Sequence, residues 1–108
     1  MERFADITLV GETYAADSIG QMVPTPSETT VQATITSISA AEFFRAGAEG
    51  LKPELVFYVW DFEYHGEQIV EYGDNTYSVY RTHLNDDGKM ELYTERKAGT
   101  ANGEEQED

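Results

Sequence analysis

The feature that most restricts the fold of this chain is a series of short runs in which apolar and polar residues alternate. Alternation with a period of two is typical of a β-strand with one buried face. The runs lie at 5–12, 28–38, 54–60, 67–72, 76–84 and 90–96, and residues that favour turns stand between the later ones, at 73–75 and 85–88. A chain of 108 residues is long enough for one domain.

One segment has the pattern of a helix instead. Ser39 and Glu42 form a capping box, in which the Ser39 hydroxyl accepts from the amide of Glu42 and the Glu42 carboxylate accepts from the amide of Ser39. Apolar residues from Phe43 onward recur at helical spacing, and Pro53 prevents continuation. The sequence therefore predicts a helix over Ala40–Leu51. The expected fold is mainly β, a small β-barrel or strongly twisted antiparallel sheet with one short helix between strands 2 and 3.

The composition changes between the first two strands. The segment Tyr14–Thr30 contains one Gly, two Pro and several Ser and Thr residues, and few large apolar groups. It is longer than the roughly 12–15 residues at which a structureless loop becomes unusual. It is either a flexible insertion or a mobile loop that becomes ordered on a partner. The candidate partner-binding residues in it are Tyr14, Ile19, Met22, Val23, Pro24 and Pro26.

The third strand is apolar on both faces. Such a strand needs cover on both sides, either from its own fold or from a neighbouring subunit. The tyrosines and the tryptophan from this strand onward either pack the barrel or form a binding face, since Tyr and Trp are enriched at interfaces. These are Tyr58, Trp60, Tyr64, Tyr72, Tyr77, Tyr80 and Tyr93. The candidate subunit contacts are Phe43, Phe44, Trp60 and Tyr93.

The net charge of -14 argues against an ordinary nucleic-acid binder and against an anionic membrane surface. The acidic segment 98–108 is expected to be a disordered tail, and without it the chain still carries a net charge of -10, from 17 acidic and 7 basic residues. The sequence has no cysteine, no apolar signal segment at its start and no apolar run approaching a membrane span. We expect a soluble protein of a reducing compartment.

Signals of catalysis are poor. The two histidines, His65 and His83, are expected to be surface or packing residues, and no Gly-x-Ser-x-Gly motif is present. The run around Gly88 imitates the middle of a calcium-binding loop but lacks its first Asp and its final Glu, so a hairpin turn explains it better. We therefore expect no enzyme activity, no cofactor and no bound metal.

Two stretches resemble the head-closure proteins of long-tailed bacteriophages, also called head-tail joining or stopper proteins. From Val31 to Pro53, a strand leads into a short helix with a Ser-x-x-Glu-aromatic start and an Ala-Gly segment. From Tyr64 to Arg81, a Gly turn precedes a Tyr-x-Val strand, and a strand containing Glu-Leu-Tyr follows. The order and spacing of these pieces, from Phe4 to Lys97, carry the resemblance.

The resemblance implies a small barrel with a helix between strands, and an assembly function. In that family, copies of the subunit form a ring below the portal and adaptor proteins, where the ring closes the DNA channel and offers a docking surface to tail proteins. DNA passes through without specific binding, and the location is the virion, or the bacterial cytoplasm during assembly. The resemblance also implies that the long loop becomes ordered within the connector.

Two other functions stay open at this stage. A small inhibitor that mimics DNA would use the same charge, with carboxylates in place of phosphates. A ligand-binding barrel would instead enclose an apolar cavity lined by Tyr residues.

Overall fold

Six antiparallel strands close into a barrel in the order β1-β2-β3-β6-β5-β4, and β4 pairs with β1 to complete the circle. The computed structural model describes residues 2–97. The strands are β1 (Arg3–Ala16), β2 (Met22–Ser37), β3 (Pro53–Trp60), β4 (Ile69–Tyr72), β5 (Asn75–Leu84) and β6 (Lys89–Arg96). One helix, α1 (Ala40–Gly47), lies between β2 and β3, and a single 3-10 turn follows β3 at Asp61–Glu63. The predicted class, a mainly β barrel with one short helix, is confirmed.

The core fills the inside of the barrel, because alternate residues of each strand point inward. On β1 and β2 the inward residues are those that the alternation predicts, and Ile7 lies opposite Val31 in the register. Phe57 packs edge-to-face against Tyr72 and Tyr77, with ring centroids 5.9 and 5.4 Å apart. The buried cluster is Ile7, Leu9, Val31, Ala33, Ile35, Phe57, Val59, Val70, Tyr77 and Leu92.

The doubly apolar strand β3 is covered on its second face by α1. The helix contacts β3, and Val56 and Ala46 are both buried. Toward its end the strand loses this cover, since Tyr58 is half-buried and Trp60 is exposed. The chain's own fold therefore covers the start of β3, and its last aromatic residue remains on the surface.

The predicted loop over Tyr14–Thr30 is wrong as a description of the backbone. β1 and β2 stay paired without interruption from Arg3 opposite Ile35 to Ala16 opposite Met22, so the segment forms the outer half of a long β-hairpin. Two strands that satisfy each other's backbone hydrogen bonds need few apolar side chains, and prolines are tolerated on an outer edge. The low apolar content was therefore a sign of an exposed two-stranded ribbon.

The helix is shorter than predicted, and a different face is buried. It ends at Gly47, not Leu51, because Leu51 donates to the carbonyl of Ala46 (3.1 Å) in a Schellman motif with Gly50 at φ 86°. Glu42 and Ala46, four residues apart, face the barrel, while Phe43 is 51% exposed.

The predicted capping box is half correct. Ser39 Oγ accepts from the amide of Glu42 (3.2 Å), as expected. The Glu42 carboxylate does not return to the amide of Ser39, because it binds side chains of β5 and of its own helix.

The predicted strand at 67–72 begins later, at Ile69. Glu67 is buried and its Oε1 accepts from the amide of His65 (2.7 Å), which holds the preceding turn. The predicted acidic tail, 98–108, lies outside the described residues.

Candidate functional site

The β1–β2 hairpin extends beyond the barrel as a two-stranded arm. β1 pairs with β4 only from Thr8 to Val10, and β2 pairs with β3 only from Thr34 to Ser37. The pairs from Gly11 opposite Ser27 outward therefore have no third strand among the described residues. We call residues 11–27 the ribbon. Over its six residue pairs the ribbon is about 20 Å long.

The tip of the ribbon is a compact turn built by Asp17. Its Oδ1 accepts from the amides of Ile19 (3.0 Å) and Gln21 (2.9 Å), and its own amide donates to the carbonyl of Gln21 (2.8 Å). Gly20 supplies the positive φ of 86° that the turn needs. The sequence thus encodes a defined turn that presents Ile19 at the outer end of the molecule.

The ribbon presents large apolar side chains to solvent. Ile19 is 75% exposed and Met22 is 62% exposed, and Tyr14 and Val23 are also exposed. Asp17 is the only charged residue between Thr13 and Ser27 in a chain with 21 acidic residues. An arm with exposed large apolar side chains and only two charged residues, Glu12 and Asp17, on a strongly acidic protein is typical of a contact surface.

Pro24 and Pro26 lie on β2, opposite Tyr14 and Glu12. They stand two residues apart, so both nitrogens face the same side of the strand, and neither can donate to a neighbouring strand. This edge of the ribbon therefore resists uncontrolled pairing with other strands. The predicted partner-binding residues do lie together, on this one arm.

The four predicted subunit contacts differ in exposure: three are exposed and Tyr93 is half-buried. Phe43 and Phe44 are adjacent and exposed on α1, with ring centroids 5.8 Å apart. Trp60 is 44% exposed and its ring stacks on Phe62, at 6.1 Å. Tyr93 is half-buried, and the Arg81 guanidinium covers its ring at 4.0 Å. The two phenylalanines and the tryptophan are thus available for contacts, while Tyr93 supports the barrel wall.

The exposed face of α1 is fixed by an anchor on its buried face. Glu42 accepts hydrogen bonds from Arg45 Nη2 (2.9 Å), Arg81 Nη2 (2.9 Å) and the Tyr80 hydroxyl (2.7 Å). These bonds, that from Arg45 above all, outweigh burial and lower the pKa of Glu42 to about 2. Burial, together with the hydrogen bond to Glu42, raises the pKa of Tyr80.

A β-bulge makes this anchor possible. In a regular strand, Tyr80 and Arg81 would point to opposite faces. The register of β5 against β6 shifts between Val79 and Arg81, which leaves Tyr80 as an extra residue. Both side chains consequently reach the same carboxylate.

The residues considered for catalysis and metal binding are turn and surface residues. His65 and His83 are both exposed. Asn85 Oδ1 accepts from the amides of Asp87 (2.9 Å) and Lys89 (3.1 Å), which makes the β5–β6 connection a hairpin turn. Within residues 2–97 no cluster of His, Asp and Glu side chains is suited to hold a metal ion. No helix in this range is long and apolar enough to cross a membrane.

No family model matches the sequence, and no curated protein shows significant similarity to it. The hydrogen bonds from Tyr80 and Arg81 to Glu42 were not predicted from the sequence. The one sign of them in the sequence is that Glu42 lies on the same helix face as Ala46.

Proposed function

We propose that this chain is a structural subunit of a bacteriophage head-tail connector, of the head-closure or stopper type. Copies of the subunit form a ring below the portal–adaptor complex. The ring closes the DNA channel and offers a docking surface to tail proteins. The subunit acts in the virion after synthesis in the bacterial cytoplasm.

The exposed apolar ribbon is the observation that carries this proposal. An arm of about 20 Å can reach past the barrel of one subunit and contact a neighbouring protein. Its exposed residues, among them Ile19 and Met22, gain stability by burial, at about 25 cal/mol for each Å² of apolar surface. Proteins that act as monomers rarely expose groups of large apolar side chains to water.

The negative charge of the subunit fits a channel for DNA. Carboxylates repel the phosphates of DNA, so a ring of subunits with a net charge of -14 each would let DNA pass without holding it. The barrel with a helix between its second and third strands is also the architecture that the resemblance implies.

The test uses a variant of the ribbon tip, Ile19→Ser with Met22→Ser, and a control, Leu84→Ser. Leu84 is 51% exposed at the end of β5, so the control removes surface apolarity elsewhere. Each protein is added to DNA-filled, tailless capsids that carry the portal and adaptor proteins, and binding is measured by co-sedimentation. The wild type and the control should bind, and the ribbon variant should not.

Equal binding by the ribbon variant would remove the main support for the proposal. If the wild-type protein does not bind capsids but forms a salt-sensitive complex with a DNA-binding enzyme, the result would support the DNA-mimic alternative instead.

A further inference from the structure

A groove crosses the outer face of the barrel where β2 and β3 separate. The last β2–β3 pair on this side is Thr34 opposite Tyr58, and after Trp60 the chain leaves the sheet in the 3-10 turn. Two adjoining depressions, of about 170 and 370 Å³, share the side chains of Phe4, Thr34, Tyr58 and Lys89. We call the two together the β2–β3 groove.

Aromatic rings and carboxylates line this groove. Phe4 of β1 is 71% exposed, and Tyr58 and Trp60 of β3 line the groove on the other side of β2. The acidic residues of the lining are Glu2, Glu63 and Asp87, and Lys89 is its single basic residue. Flat rings with carboxylates around them favour a cationic side chain, above all Arg.

One carboxylate oxygen of Glu63 accepts no hydrogen bond within residues 2–97. Its Oε1 is enclosed and has no hydrogen-bond partner among the described residues. A buried polar atom without a partner destabilises the folded state. A donor in the groove that the Glu63 carboxylate turns to meet would remove this cost and so bind favourably.

The position of Lys89 shows that Trp60 can take a cation. Lys89 Nζ lies 4.7 Å from the centroid of the Trp60 ring. This contact occupies the aromatic surface in the free protein, so a cation from another protein would compete with Lys89 for the ring.

The edge of β2 beside the groove is open. Within residues 2–97, no strand pairs with β2 on the side away from β1 before Thr34. Gln32 lines the groove on this edge. Backbone N–H and C=O groups of residues two apart in a strand point to the same side. Those of Gln32 therefore point away from β1, as the backbone nitrogens of Pro24 and Pro26 do. Unlike the two prolines, Gln32 has an N–H that can donate. An extended chain can therefore add its own hydrogen bonds there.

We propose that the β2–β3 groove binds a short, extended, basic segment of a partner protein, whose Arg side chain lies on the aromatic rings and donates to Glu63. A second copy of this chain is disfavoured as the occupant, because it carries a net charge of -14. A nucleic acid is disfavoured because its phosphates would meet carboxylates. This inference does not rest on the connector function, since it uses a surface separate from the ribbon.

The experiment uses Trp60, the only tryptophan of the chain, as the reporter. A synthetic peptide in which Arg alternates with Thr is titrated into the full-length protein, and Trp60 fluorescence is recorded. A matched peptide carries citrulline, which is uncharged, at every Arg position. We expect saturable binding of the Arg peptide and at least tenfold weaker binding of the citrulline peptide.

The affinity of the Arg peptide for three variants tests whether it binds in the groove. Glu63→Gln should weaken the Arg peptide by roughly tenfold or more, the usual effect of losing a charged hydrogen bond. Glu71→Gln removes the same charge from an exposed position on β4 and should change affinity less than twofold. Lys89→Gln should tighten binding, because the competing cation is gone.

Equal weakening by Glu63→Gln and Glu71→Gln would show attraction to net charge alone and would overturn the proposal. Equal binding of the two peptides, or an unchanged Trp60 signal, would overturn it as well. Backbone amide NMR shifts of the wild type give a readout that does not depend on folding of a variant. They should change at Phe4, Gln32 and Trp60, and changes confined to the ribbon would refute the assignment.

Discussion

Glu42 on α1 and Arg81 on β5, 39 residues apart in sequence, are joined by a hydrogen-bonded ion pair of 2.9 Å. The Glu42 side chain is only 8% exposed, so its charge is balanced by protein groups rather than by water. Through this pair, the helix that carries the exposed Phe43 and Phe44 is held on the barrel in one orientation.

Loss of the anchor should destabilise the protein. We predict that Glu42→Ala lowers the free energy of unfolding by about 2 kcal/mol, less than the roughly 3–5 kcal/mol for a fully buried pair, because both arginines are partly hydrated. Glu49→Ala, which removes an exposed partner of Arg45, should cost less than about 0.5 kcal/mol. Urea denaturation of both variants checks this, and similar losses would contradict the anchor.

The same carboxylate should make stability depend on pH in acid. The folded-state pKa of Glu42 is about 2, below the ordinary value of 4.5, with the hydrogen bond from Arg45 as its largest cause. A lowered pKa gives stability that is complete above about pH 4.5 and is lost as the pH falls toward 2. The difference in unfolding free energy between wild type and Glu42→Gln should therefore shrink over this range. A constant difference would show that Glu42 is not held as a carboxylate.

The core should be sensitive at Phe57. This ring is fully buried against Tyr72 and Tyr77, so Phe57→Ala should cost about 3–5 kcal/mol. Phe44→Ala, at a residue 72% exposed, should change stability by less than about 0.5 kcal/mol. Thermal unfolding of the two variants compares them. Equal losses would mean that the barrel interior is not the core.

The two prolines of the ribbon should keep its edge from pairing. We predict that Pro24→Val with Pro26→Val restores two outward N–H groups and makes the purified protein associate. Thr25→Val is the control. It adds an apolar side chain between the two prolines but frees no outward N–H, because the backbone of Thr25 faces its partner Thr13 on β1. Static light scattering over a concentration series checks this. Association of the control to the same degree would assign the effect to apolarity.

The strands and the core could be predicted because they depend on local alternation. Residues such as Ile7, Leu9 and Phe57 lie inward wherever a strand has one buried face, so their burial follows from a period of two. The helix start at Ser39 was equally local, since one side chain satisfies one nearby amide.

The ribbon and the anchor depend on partners distant in sequence, and this is why sequence reasoning failed there. Nothing within 14–30 shows that Thr13 pairs with Thr25 or that Tyr14 pairs with Pro24, because the register is set by the barrel strands that continue into the arm. Likewise, the preference of Glu42 for Arg81 over the amide of Ser39 depends on a bulge in β5.

Electron microscopy of the connector in assembled phage particles that contain this chain tests the central claim most directly. The connector function predicts a ring of six-stranded barrels between adaptor and tail, with each ribbon tip, at Ile19 and Met22, buried against a neighbouring protein. Particles with no density for this chain between portal and tail would contradict it.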